Sequence, residues 1–275
     1  MCFGKRKNIF FGGFMFFIIQ DPNDCASLTI DAYLIKDLID SQKNSLNHYQ
    51  IINNEDMLKN GELRPVTDFP KAYRTAIPFG TLEFTSNFLK IFKGIDTINP
   101  IEIPKCLRIH EFLKREYEIL QYPKIPKNGR YFVKNVSKLK DWTYCGEIAE
   151  LHKNNKFNEA SLYQISEIVE PIAEYRVYVI GGKIYAIAYY DGDPCIFPDA
   201  HVINKANLIY SMQKDYPRSY TMDVMVTEKG TCITEIHVLF SCGIYQTVLG
   251  TDFLYGYQDA MKYTEKFNTP IIDTI

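Results

Sequence analysis

The stretch Thr221-Met-Asp-Val-Met-Val-Thr-Glu-Lys-Gly-Thr-Cys-Ile-Thr-Glu-Ile-His237 reads as a tight β-hairpin that gathers acids and an imidazole on one face. Its two alternating runs flank Glu228-Lys229-Gly230, which suits a three-residue loop with glycine in the left-handed position. That loop pairs Thr227 with Thr231, so Met225 falls opposite Ile233, Asp223 opposite Glu235 and Thr221 opposite His237, all on one face. Carboxylates facing each other across a ladder repel. A hard divalent cation such as magnesium, bound through one or two carboxylates and substrate phosphates, would turn that repulsion into a ligand set. Taken alone, the segment is equally compatible with an exposed hairpin carrying unrelated acids.

Moving upstream, residues 174–180 and 183–190 flank Gly181-Gly182, a two-residue turn of the kind hairpins favour. Alternation puts Tyr175, Val177, Val179, Ile184, Ala186 and Ala188 on a core face. Glu174, Arg176, Tyr178, Lys183, Tyr185 and Tyr189, beside Ile180 and Ile187, fall on a face that can meet a ligand. Residues 162–166 predict a strand, and Glu167, Ile168 and Val169 open a connector that Pro171 takes out of the sheet. Residues 130–134 predict a strand ending in Lys134, followed by a charged loop with Lys138 and Lys140. Apolar spacing over residues 106–120 predicts a helix.

The first hundred residues are harder to read. Residues 14–19 predict a buried strand and residues 28–41 a helix with one apolar side; the loop over 53–70 and the linker around Pro100 follow. Lys5-Arg6-Lys7 and the apolar run to Ile19 imitate a signal peptide, yet no small-residue cleavage site follows and about eleven residues cannot span a bilayer. A strand followed by a helix predicts a small α/β N-terminal domain over residues 1–103, leaving 104–275 as a second domain.

Composition narrows the function classes. A hydrophobic fraction of 46% with 23% charged residues in 275 argues for a folded chain with a real core. A formal charge of −2 gives no reason to expect nucleic acid or a membrane as partner, and favours a small molecule or a peptide. The seven cysteines are odd in number and scattered without a C-x-x-C pair, as expected of reduced cytoplasmic thiols.

In chain order the sequence thus offers Lys134, Lys138, Lys140, Arg176 and then Asp223, Glu235 and His237. Lysine supplies a point charge for phosphate oxygens, arginine a planar fork for a transferring phosphoryl group, and carboxylates the ion that neutralises the phosphates. No Gly-x-x-x-x-Gly-Lys-Ser/Thr loop and no Gly-x-Gly-x-x-Gly is present, so a nucleotide must be held differently.

Phe132-Val-Lys134, Lys140-Asp-Trp-Thr143, Glu174-Tyr-Arg176-Val-Tyr-Val-Ile-Gly-Gly-Lys183, Asp223-Val and Glu235-Ile-His237, taken as an ordered set, resemble the ATP-grasp superfamily over roughly residues 104–250. More narrowly the set resembles its clade named for one arginine and two lysines. The resemblance implies an α+β fold in which two β-rich subdomains clamp ATP. It implies Lys134 and Lys140 on phosphates, with Lys138 competing for the role of Lys140, Arg176 at the γ-phosphate or an acyl-phosphate as a catalytic pair with Lys140, and Glu167, Ile168 and Val169 at the adenine with Met225 and Ile233 against the ring. Asp223 and Glu235 would hold magnesium. His237 stands where the family commonly has asparagine, and three readings stay open for it: substrate contact, contact to a metal-bound water, or a nitrogen ligand better suited to manganese. Asn135 stands where proline is frequent.

The expected activity is ligation of a small-molecule or peptide carboxylate to an amine through an acyl-phosphate. A nucleotide-binding protein without turnover and an ATP-dependent phosphotransferase are the alternatives. Substrate identity and oligomeric state are not legible in these residues.

Overall fold

Five consecutive apolar or amide side chains, Phe16–Gln20 (β1), are buried along their whole length. The computed structural model describes residues 14–25, 29–42, 47–245 and 249–268; Lys5-Arg6-Lys7, residues 9–13 of the apolar run and Leu28 lie outside them. A strand buried on both faces suits the middle of a parallel sheet. That is its place: β1 pairs in parallel with β2 (His48–Ile52) on one side and β5 (Ile77–Phe79) on the other. Helix α1 (Thr29–Asp40) connects β1 to β2, and a small hairpin, β3 (Leu58–Lys59) with β4 (Glu62–Leu63), interrupts the predicted loop. Helix α2 (Leu82–Lys93) follows β5. Thr81 caps its start by accepting the Phe84 N–H, and Gly94 ends it in the left-handed conformation.

The helix expected over residues 106–120 does not form. A 3₁₀ turn and a single helical turn, α3 (His110–Leu113), stop at Lys114, whose φ is +52°. The next residues, β6 (Tyr117–Gln121), join a sheet instead. An apolar spacing compatible with a helix was overridden there by pairing with a strand far along the chain.

That sheet is antiparallel and four-stranded, built with β7 (Arg130–Asn135), β8 (Thr143–Glu147) and β9 (Leu162–Ser166) in the order β6-β9-β7-β8. Helix α4 (Ile148–Lys153) packs with it around a small core of its own, including Val133, Ile148, Tyr163 and Ile165. Alternation turns Phe132, Lys134, Gln164 and Ser166 to the opposite face.

The second antiparallel sheet has the order β11-β10-β12-β13, from β10 (Ala173–Ile180), β11 (Lys183–Gly192), β12 (Tyr220–Thr227) and β13 (Gly230–His237). Helices α5 (Ala200–Ser211) and α6 (Asp252–Asn268), neither apparent from the sequence, cover it. Val177, Val179, Met222 and Val224 share one continuous core with Phe17, Ile19 and Leu89 of the N-terminal elements. Among the described residues no helix is long and apolar enough to cross a membrane.

Both hairpins depart from the predicted register. The Gly181-Gly182 turn pairs Ile180 with Lys183 as expected, but shifts at Tyr178/Val179 and at Glu174/Tyr175 realign the rest. Tyr178, assigned to the ligand face, is buried: its hydroxyl donates to the Gly243 carbonyl and its ring meets Phe253. In the other hairpin Thr227 pairs with Gly230, not Thr231, so the loop is the two residues Glu228-Lys229, with Gly230 at φ +101°. Met225 therefore lies opposite Cys232 and Val224 opposite Ile233. A β-bulge between Asp223 and Val224, with Thr234 as the extra residue, then restores the predicted alignment of Asp223 with Glu235 and Thr221 with His237.

Candidate active site

Pairing of β10 with β12, which the sequence did not reveal, sets Arg176 beside Asp223, and Asp223 faces Glu235 on β13. One row across the sheet thus reads Arg176, Asp223, Glu235, and the next reads Tyr178, Thr221, His237. The guanidinium of Arg176 donates from Nε to Asp223 Oδ1 and from Nη2 to Oδ2, both at 2.8 Å, and from Nη1 to the Gly243 carbonyl at 3.0 Å. Its Cζ lies 4.9 Å from the centre of the Tyr245 ring, which stacks on Tyr190. Burial alone would make this guanidinium easier to deprotonate; the paired Asp223 carboxylate more than reverses that.

From the facing sheet, Lys134 Nζ reaches Glu235 Oε1 at 2.9 Å, an ion pair that bridges the two β lobes. His237 Nε2 hydrogen-bonds the other oxygen, Oε2. Burial would raise the Glu235 carboxyl, but the hydrogen bond from His237 and the charges of His237 and Lys134 hold it down to about 2. Asp223, Glu235 and His237 each offer a ligand atom within 4.8 Å of the others. Two carboxylates and an imidazole so arranged fit a small divalent cation: the oxygens match magnesium, and the nitrogen is a donor that manganese also accepts.

Three adjoining cavities surround this row. The first, about 310 Å³, lies between the cleft face of the β6-β9-β7-β8 sheet and the connector, and is lined by Phe132, Gln164, Glu167, Ile168, Val169 and Met225 among others. Ile233 is absent from its wall. The register shift turns that side chain into the core, fully buried, and Thr234 takes its place. A second cavity of about 360 Å³ shares Glu235 with the first and carries Lys134, Lys138, Lys140, Arg176 and His237. A third, about 210 Å³, meets the second at Lys140 and Gly243. Lys138 and Lys140 are exposed, and Lys140 has φ +51°.

Several site residues escaped the sequence reading. Arg115, buried, lines the first cavity and donates to the carbonyls of Leu113 and, at the bulge, Ile233. Reading residues 106–120 as a helix hid it. Glu102, in the linker, has a buried Oε1 without a hydrogen-bond partner; burial pushes its carboxyl up to about 7 against the pull of Lys134 and Arg108. Glu167, at the connector, pairs with Lys229 of the hairpin loop at 2.8 Å.

A sequence profile of the ATP-grasp domain, family 2 of the clade named for one arginine and two lysines, matches residues 112–250. No curated protein matches the chain by sequence. Among solved structures, D-alanine--D-alanine ligase from Bacillus anthracis complexed with ATP is 14% identical, with 92% of this chain and 97% of that one covered at a TM-score of 0.51. D-alanyl-alanine synthetase A from Vibrio cholerae O1 biovar eltor str. N16961 is 12% identical, covering 92% and 98% at 0.51. A D-cycloserine synthetase is 8% identical, covering 90% and 98% at 0.50. At these identities the likeness is one of fold, and it is the two-lobed fold described above. With half of its length matched by the profile and its architecture shared with these ligases, the chain belongs to the ATP-grasp superfamily, in family 2 of the arginine-and-two-lysines clade.

Proposed function

We propose that this chain is an ATP-dependent ligase that joins a carboxylate to an amine. The observation that carries the reading is the row Arg176-Asp223-Glu235, bridged by Lys134 from the opposite lobe and flanked by a connector-walled cavity and a lysine-rich one. On this reading the purine enters the first cavity against Met225, beside the polar backbone of Glu167, Ile168 and Val169. The triphosphate extends past Lys134 towards Lys138 and Lys140.

Asp223 and Glu235 would hold magnesium, with His237 at the same ion or at one of its waters. Once bound, the ion supplies neutralisation of phosphate charge. Phosphoryl transfer needs positioning and charge more than a covalent nucleophile, and the cleft offers both. A substrate carboxylate oxygen attacks the γ-phosphorus and the bond to ADP breaks, giving an acyl-phosphate. The amine then attacks the carbonyl carbon, a C–N bond forms, the C–O bond to phosphate breaks, and the amine nitrogen loses its proton. Arg176 would meet the phosphoryl oxygens after exchanging at least one of its contacts with Asp223. Residues 1–103 would serve as the N-terminal unit that presents substrate to this cleft.

A second reading, nucleotide binding without turnover, draws on the same saturation of Arg176 and on His237. The test is ADP release with magnesium and candidate substrates, for wild type and Glu235→Gln. Ligation predicts substrate-dependent ADP release that falls at least about a hundredfold in the variant. Nucleotide binding with no release in any substrate mixture favours the second reading, and undiminished release by the variant removes Glu235 from the metal site.

A further inference from the structure

We propose that the third cavity holds the amine partner as a small zwitterion, an α-amino acid whose ammonium meets Asp31 and whose carboxylate meets the start of α2 and Thr85. The assignment rests on the ligase reading for its purpose, but its geometry stands apart from the nucleotide cleft.

Size comes first. At about 210 Å³ the cavity lies below the roughly 300–1,000 Å³ of pockets that take drug-sized ligands, too small to enclose a peptide. Its walls carry opposite polarity. Asp31, in the first turn of α1, accepts the Ile244 N–H on Oδ2 at 2.9 Å, and among the described residues no protein group donates to Oδ1. This leaves a fixed carboxylate oxygen for a cation.

On the other wall α2 begins. Thr81 sends its own N–H to Gln20 Oε1 at 2.8 Å and accepts the N–H of Phe84. The N–H groups of Leu82 and Glu83, in the first turn, have no intrahelical acceptor and sit at the positive end of the helix dipole. Thr85, one turn on, lines the same cavity with 1% exposure, and its Oγ1 has no hydrogen-bond partner. An unpartnered buried hydroxyl is costly, and a ligand oxygen would satisfy it. A group that presents an anion to α2 and a cation to Asp31 is a zwitterion. Lys140 and Gly243 are shared with the phosphate-side cavity, so the molecule would sit next to the reacting carbonyl.

The test uses the full chain without nucleotide, titrated with glycine, D-alanine and the common L-amino acids while the unfolding midpoint is followed. For each binder, its methyl ester and its N-acetyl derivative are titrated against the wild-type chain. At least one amino acid should bind saturably at up to millimolar concentration, and removing either charge should weaken it about tenfold or more. Asp31→Asn should also weaken it about tenfold, and Thr85→Val about threefold, in variants whose ligand-free midpoints stay near wild type. Failure of the whole panel to bind, or ester and N-acetyl forms binding as well as the parent, overturns the proposal; the derivative series needs no variant to fold. Magnesium-ATP titrated into the same wild-type samples separates the two claims. Absence of nucleotide binding defeats the ligase reading, whereas nucleotide binding without amino-acid binding defeats this assignment alone.

Discussion

Asp223 and Glu235 stand opposite each other, yet losing their charges should have different effects. Asp223 accepts two N–H groups from Arg176 in a pair that is almost wholly buried. Asp223→Asn leaves that guanidinium poorly matched, and removing one partner of such a pair costs about 3–5 kcal/mol. Urea unfolding should report this as a large fall in midpoint at unchanged slope, and a wild-type midpoint would contradict it. Glu235 is less buried and shares its contacts between Lys134 and His237, so Glu235→Gln should cost on the order of 1 kcal/mol. Glu102 gives a pH signature. Its folded pKa of about 7 lies above the ordinary value of about 4.3, so its contribution is fully present below about pH 4.3 and is lost as pH rises through 7. Glu102→Gln should therefore flatten the loss of stability between about pH 4.3 and about pH 7. Glu235, held down to about 2, acts in the opposite sense: its contribution is full above about pH 4.3 and is lost as pH falls from there through about 2.

At the scale of elements, the hairpin loop depends on Gly230, whose φ of +101° is strained for any other residue. Gly230→Ala should cost about 1 kcal/mol, read as a lower thermal midpoint, while metal-dependent ADP release persists because the Asp223–Glu235 alignment is set beyond the bulge. This hairpin also shows what a sequence can and cannot disclose. Alternation and turn residues announce the hairpin and its acidic face, because both are properties of neighbouring residues. The bulge at Thr234 is not announced. It arises where the strand meets Arg115 and the rest of the sheet, and it compensates a loop one residue shorter than expected, so Asp223 and Glu235 met while Ile233 turned inward. The missing helix over 106–120 has the same origin: β6 exists because β9 is there to pair with it. Arg176 was legible as a polar residue on a strand, but its tie to Asp223 belongs to the pairing of β10 with β12.

Across the whole molecule, the lobe made by β6-β9-β7-β8 has its own small core and meets the larger body through two ion pairs, Lys134 with Glu235 and Lys229 with Glu167, and through Tyr117 and Leu139, which pack on the main core. Clamping a nucleotide between the two should stabilise both. Magnesium-ATP at about a hundred times its Kd should add about 2.7 kcal/mol, visible as a raised unfolding midpoint. ATP with chelator, or magnesium alone, should each achieve far less, and equal effects from the separate components would contradict the proposed cleft. The reason lies in how Arg176 holds Asp223 and Lys134 holds Glu235. Each inner cation is paired with one of the two acids, so on the proposed reading a stray phosphate would find no bare guanidinium and a stray divalent ion no bare acid. Admission would then be a four-way change of partners that succeeds only when both visitors come together, which would screen out half-loaded states.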